Sequence, residues 1–162
     1  MAVVDYFLKL DGIDGESEDA KFKGHIDLHS WSWGATNSGS SATGGGGGSG
    51  KVSMQDFHFV MPHNNASPKL MLACASGEHI KKAVLVCRKA GKDQQEFLKI
   101  VLSDVLVSSY QTGGSAHGDV IPLDQVSINF GKIEHHYKPQ KADGSLGAAV
   151  IAGWHVKQNQ KV

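Results

Sequence analysis

The chain lacks an excess of charge of either sign: 16 Lys and Arg balance 16 Asp and Glu over 162 residues. This excludes the basic footprint by which proteins find nucleic acid or an anionic membrane surface. Cysteine is scarce as well. Cys74 and Cys87 show neither metal-ligand spacing nor a disulfide framework, which fits a chain made in a reducing cytoplasm. Long apolar runs are missing. The opening MAVVDYFLKLDG has no basic n-region and no extended apolar segment, so neither a signal peptide nor a membrane anchor is expected, and Sec-type export with them. What remains is 40% hydrophobic and 20% charged, an ordinary soluble composition in a length that supports one good core and a single domain over 1–162.

The abundant residue is glycine, and it is unevenly placed. Trp31 and Trp33 alternate with Ser32, and Val52 and Met54 alternate later, so two strands are predicted on either side of a glycine-rich stretch. That stretch, at about 34–51, holds Gly34, Gly39, Gly44, Gly45, Gly46, Gly47, Gly48, Gly50 and Lys51. A structureless segment of about 17 residues inside a domain is unusual and tends to be either functional or disordered. Two readings stay open: a flexible linker, or an arm lying on another surface, where missing side chains let backbones approach closely.

Alternation elsewhere predicts a mainly β chain. Val4, Tyr6, Leu8 and Leu10 form a first strand, and the charged segment DGESEDAKFKG at 14–24 reads as a solvated loop. Ile26 and Leu28 then give way to Trp31 and Trp33 in the opposite phase, which suggests a bulge near His29 and Ser30. Beyond it Trp31 and Trp33, with Trp154 later, are expected to anchor the core, while Ser32 faces away from them. A similar slip separates Val52 and Met54 from Phe57, Phe59 and Met61, and Gly131 breaks the run between Val126, Ile128, Phe130 and Ile133, His135, Tyr137. The segment 96–109 is apolar on both faces, with Phe97, Val101 and Val105 on one and Leu98, Ile100, Leu102 and Leu106 on the other, as in a central strand. It pairs as a hairpin with Ala83–Cys87, and a last strand carries Val150, Ala152, Trp154 and Val156. One short flanking helix is predicted at about 67–76, with Ser67 as cap, Pro68 in the first turn, Leu70, Met71 and Cys74 inward and Gly77 closing it. Seven strands with repeated phase slips suit a small closed or nearly closed β-barrel of two packed antiparallel sheets.

Catalytic motifs do not hold up. Gly45–Lys51 satisfies G-x-x-x-x-G-K, but Val52 stands where a phosphate-binding loop needs Ser or Thr, and a strand follows where a helix is required. Gly113-Gly114-Ser115-Ala116-His117 misses the final glycine of a nucleophile elbow. Nine histidines are present, yet none are spaced as metal ligands, and His135 and His136 point to opposite faces of one strand. Catalytic residues, cofactors and metals are therefore not expected. A nucleotide hydrolase using the Lys51 loop and a monomeric small-ligand barrel remain as alternatives.

Read as a whole, the chain resembles the Hcp family, the haemolysin co-regulated proteins of type VI secretion systems. The resemblance is carried by HSWSWG at 29–34, GGGGGSGKVSMQDFHF at 44–59, SPKLMLACASGEH at 67–79, CRKAG at 87–91, DVLVSSYQTGGS at 104–115, NFGKIEHHYKPQKADG at 129–144 and GWHVKQN at 153–159. It implies a small β-barrel with one flanking helix, assembled as a six-membered ring around a wide channel. Rings would stack into a tube, related in fold to phage tail tubes, which a contractile sheath drives out beneath a spike-tip protein. The channel would carry small effector proteins, and the tube itself would leave the cytoplasm without a signal peptide. On this resemblance Ser32 and Ser30 would face the channel and contact cargo, and the arm at 34–51 would reach from one ring onto the next.

Overall fold

The computed structural model describes residues 3–38, 51–90 and 93–162. Its first strand, β1 (Val4–Leu10), is paired on one side by β2 (Ile26–Asp27) and along its whole length by β7 (His79–Lys89). Next to β7 lies β8 (Glu96–Gly113), an 18-residue strand. The first half of β8 pairs on its other edge with β10 (Lys132–Tyr137), and the second half with β9 (Leu123–Asn129). The path continues from β9 to β6 (Phe57–Pro62) and from β6 to β3 (Ser30–Ser32). Beyond β10 come β11 (Val150–His155) and β12 (Gln160–Lys161). A separate two-stranded ribbon joins β4 (Ala35–Asn37) to β5 (Val52–Met54).

Among the described residues twelve strands stand where seven were expected; three of the five extra ones arise at the phase slips, and β4 and β12 are the other two. Each slip is a break where the chain changes neighbour. β2 sits on β1 and β3 on β6, and the exchange falls between Leu28, whose N–H donates to Tyr6 O at 3.0 Å, and His29, whose N–H donates to Val60 O at 2.8 Å. The segment 26–32 therefore touches both ends of the curled sheet. Because no single strand runs through that seam, the wall is nearly closed and is not a closed barrel. Two antiparallel sheets are present as expected, of ten strands and two.

Period-two alternation puts Phe57, Phe59, Met61, Val126, Ile128, Ile100, Leu102, Leu8 and Leu10 inside, each at most 1% exposed. Burying a side chain of this size contributes about 1.5–3 kcal/mol. The core differs from the expected faces at Val105, which is fully buried with Ile100 and Leu102, while Leu106 is turned outward. The cause is Asp104, whose φ of 55° inserts a left-handed residue and reverses the alternation of β8. Gly131 closes against this bend: its N–H donates to Ser103 O at 2.9 Å, and a Cβ there would lie 3.2 Å from Cβ of Asp104.

The helix, α1 (Ala66–Ser76), ends at Gly77, which is left-handed and donates to Ala73 O. Its start differs from expectation. Asn65 holds the cap position, Asn64 Oδ1 accepts from Ala66 N–H at 2.8 Å, and Ser67 lies inside the helix, its Oγ accepting from Asn64 N–H at 3.0 Å and donating to Asp124. The buried stripe is Ala66, Ser67, Leu70 and Ala73; Met71 is half exposed, and Cys74 only packs at the margin. The helix is laid on β8, and that tilt selects the stripe one position away from the one predicted.

The segment 14–24 also departs from a solvated loop. It folds over the outer face of β1 and β7, where Phe22 stacks on Phe7 at 4.5 Å. The Arg88 guanidinium, 4.9 Å from the Phe7 ring, donates to Asp19 Oδ2 at 2.6 Å and to Asp5 Oδ2 at 3.0 Å. Charged residues in the segment thus serve as partners for a buried Arg88, a pairing that a local composition does not reveal.

Two outcomes follow from these bends and pairs. Asp104→Val is expected to lose about 1–2 kcal/mol more stability than Asp104→Gly in urea unfolding, because a β-branched side chain resists the left-handed region that glycine enters freely; equal losses would contradict this. The hydrogen bond from Arg88 holds the Asp19 carboxyl down, from 3.8 to about 2. A depressed folded-state pKa contributes stability that is complete above the unfolded value and lost as pH falls through the folded one. The stability difference between the wild type and Asp19→Asn should therefore shrink between about pH 4 and about pH 2, as read by unfolding midpoints across that window.

Candidate functional site

The strand register β3–β6–β9–β8 sorts side chains into two faces. Trp31 stands opposite Phe59, Phe59 opposite Val126 and Val126 opposite Tyr110, and this row faces the core. The rows on either side face out. One runs Ser32, His58, Ser127, Ser109; the other runs Ser30, Val60, Gln125, Gln111. His58 Nδ1 and Ser127 Oγ are hydrogen-bonded at 3.0 Å. At the margin, Asp56 accepts from Ser108 Oγ at 2.6 Å and from Asn129 Nδ2 at 3.0 Å. The resulting surface is mainly hydroxyls and amides with one imidazole and the aliphatic Val60, and the Asp56 carboxylate is the charged group at its margin. Such groups exchange hydrogen bonds with a passing surface at small net gain, so they hold it weakly and in many orientations.

This wall is fixed from behind by Asp124, which is fully buried between the outward-facing Leu123 and Gln125 of β9. Its carboxylate accepts from Ser67 Oγ of α1, from Tyr110 OH of β8 at 3.0 Å and from His63 Nδ1 at 3.0 Å. Burial alone would push this carboxyl up, but the bonds from Ser67, Thr112, His63 and Tyr110 together hold it below its ordinary value. The Tyr110 hydroxyl is pushed up by burial and by the same carboxylate. One acidic side chain therefore ties the helix to two wall strands.

A second surface is apolar. Trp33, Met54, Ile133, His135, Ala152, Gly153 and Trp154 line an open groove of about 210 Å³. The indole N–H groups of Trp33 and Trp154 are buried there without an acceptor among the described residues. Beside the groove, β12 covers only Trp154 and His155 of β11, while Val150 and Ile151 are 66% and 57% exposed. An edge strand with exposed apolar side chains is a template for pairing with another chain.

Comparison with known proteins agrees with this architecture. The family profile described as type VI secretion system effector, Hcp, matches residues 7–137. Protein hcp1 of Pseudomonas aeruginosa is 46% identical over 158 residues, covering 96% of this chain and 97% of its own length. This chain belongs to the Hcp family. Among solved structures, Hcp1 from Salmonella typhimurium is 34% identical with a TM-score of 0.82, covering 99% of this chain and 100% of that one. A type six secretion system protein is 30% identical with a TM-score of 0.91, covering 98% and 99%. Hcp is a structural family of the secretion apparatus, not an enzyme family, and its members are type VI secreted proteins. Among the described residues of this Hcp chain, no helix is long and apolar enough to cross a membrane.

The residues singled out from the sequence fall into three places. Ser30 and Ser32 are exposed on the Hcp wall, and Trp31, Trp33 and Trp154 are half-buried against the rim of the core. Gly34 accepts from Gln55 N–H at 2.9 Å and begins the arm, with Lys51 exposed at its return. Between them the base of the arm is not structureless: Ala35 to Asn37 pair with Met54 to Val52 as a ribbon, because polar Thr36 and Asn37 tolerate an exposed ladder. Gly39, Gly44, Gly45, Gly46, Gly47, Gly48 and Gly50 lie outside the described residues. After Lys51 the chain enters strand β5, so the helix N-terminus of a phosphate-binding loop is missing at that position. His58, Ser109, Gln111, Gln125 and Ser127 were not singled out from sequence. The signal was present in DQVSIN at 124–129, where polar and apolar residues alternate.

Because the buried Asp124 carboxylate satisfies donors from α1, β8 and the turn after β6, Asp124→Ala is expected to cost about 3–5 kcal/mol in denaturant unfolding. Ser32→Gln, on the exposed face, should change stability by less than about 0.5 kcal/mol. A loss at Asp124 no larger than that at Ser32 would show that the buried node carries no load.

Proposed function

We propose that this Hcp chain is a tube subunit: six copies close into a ring, rings stack, and the bore carries small effector proteins. The single observation that carries the reading is the polar outward wall of Ser30, Ser32, His58, Gln125 and Ser127, with one carboxylate, Asp56, at its margin. A bore that must hold a passenger and then release it needs many weak hydrogen bonds and few fixed charges. Ser32 and Ser30 contact cargo on this reading. A ring needs two different patches on each subunit, and the open β11 edge with its apolar groove supplies one of them. The arm at 34–51 reaches the neighbouring ring, where Gly34, Gly39, Gly44 to Gly48 and Gly50 let backbones approach and Lys51 marks the return.

The chain acts as one tube domain over 1–162, without catalysis, cofactor or metal. Its partners are further copies of itself, a spike-tip protein, a contractile sheath and effectors in the bore. It is made in the bacterial cytoplasm and leaves by the type VI route to the extracellular space or a target cell.

Electron microscopy of the purified protein should reveal annular particles, and sedimentation a mass well above the 17.3 kDa of one chain. Ser32→Gln should keep the rings and reduce co-purification of cargo. A solitary 17.3 kDa particle would overturn the ring, and unchanged cargo loading would overturn the role of Ser32.

A further inference from the structure

We propose that the tip of the hairpin joining β8 to β9 inserts into the Trp33–Trp154 groove of a second copy of this chain, an inference that rests on the assembly reading above and names the patch that meets the groove. Val120 is 97% exposed at that tip, and Ile121 and Leu123 are 54% and 40% exposed. The hairpin is well held at its base and within its turn. Leu123 stands opposite Gly113 in the last rung, His63 N–H donates to Pro122 O at 2.9 Å, and Gly118 N–H donates to Ser115 O at 3.1 Å. Its aliphatic side chains are therefore presented on a fixed base, which lowers the ordering cost of a contact. The groove, open and apolar at about 210 Å³, is of a size to admit side chains of this kind.

Reach and charge together point to a second copy as the occupant. Ile133 of the groove stands opposite Leu102 of β8. From Val105 the strand runs on to Gly113, away from that point, over roughly 26 Å at a rise of about 3.3 Å per residue. The tip therefore cannot fold back onto its own groove. Between Val105 and Gly131 the side-chain charges are Asp119 and the buried Asp124, with neither Lys nor Arg. Between Ser145 and Val162 they are Lys157 and Lys161, with neither Asp nor Glu. Register sets Ile133, Trp154 and Lys161 in one row on one face, so a fixed cation stands at the rim of the groove. Asp119 immediately precedes Val120 at the tip. The Asp56 carboxylate, two residues beyond Met54 of the groove, already accepts from Ser108 and Asn129. An acidic apolar tip and a basic apolar groove thus meet between copies, in a head-to-tail contact of two different patches.

Sedimentation of the full-length protein over a series of loadings gives the concentration at which the assembly dissociates. Val120→Ser with Ile121→Ser is expected to raise that concentration by about ten-fold or more. Asp119→Lys should raise it by about three-fold or more, and adding Lys161→Asp to the same chain should restore it. In a Cys74→Ser background, a chain carrying Val120→Cys and Ala152→Cys should give a ladder of linked copies under mild oxidation, where either single substitution gives at most a pair. Assemblies of unchanged strength in the tip variants, without a ladder, overturn the docking and leave the ring standing. Dimers or open chains that fall apart in the tip variants support the docking and overturn the six-membered ring. A protein that stays a single chain at every loading overturns both.

Discussion

Everything in this chain hangs on the double use of one long strand. β8 pairs with β7 on one edge, and on the other it passes from β10 to β9 at a bend. That bend is a single left-handed residue, Asp104, with Gly131 packed against it. Removing the bend would leave the phase of β8 unbroken and direct Val105 away from Ile100 and Leu102. A one-residue slip in a strand exchanges its two faces. The core on one side of β8 and the polar wall on the other are thus set by the same backbone event.

The wall in turn depends on a carboxylate with no access to water. An isolated buried charge is costly, whereas one that is fully hydrogen-bonded can be accommodated. Asp124 meets that condition by drawing donors from α1, from β8 and from the turn after β6. The helix therefore does more than cover apolar surface. Through Ser67 it helps fix the position of β9, and with it the outward side chains Gln125 and Ser127. Arg88 forms a second buried charged node on the outer face of β1 and β7, bonded through its terminal nitrogens to Asp19 and Asp5, while its Nε has no partner among the described residues.

Much of this was legible in the sequence, and what was not shares one cause. Alternation located every long strand, and the Pro68 to Gly77 pattern located the helix, because both depend on neighbours a few residues apart. The phase slips at His29, Gln55 and Gly131 were visible too. Their meaning was not, since a bulge and a change of partner produce the same local pattern. The Arg88–Asp19 pair spans 69 positions and the Ser67–Asp124 pair 57; nothing near either residue announces its partner. Met71 failed for a related reason, since the buried stripe of a short helix is chosen by the sheet beneath it. At the wall, Ser32 stood out because two tryptophans flank it. Ser127 and His58 carry no such marker, although register makes them its neighbours.

The tube reading proposed above calls for surfaces of different strength, and the described residues differ in that way by residue type. The β11 edge, with Val150 and Ile151 exposed, and the apolar groove between Trp33 and Trp154 are the ingredients of a contact that excludes water. The wall offers small polar groups that bond to water nearly as well as to a passenger. On the tube reading proposed above, the contrast between the apolar β11 edge and the polar wall would rank the contacts: a joint between subunits would be the stronger, and cargo would be held more loosely.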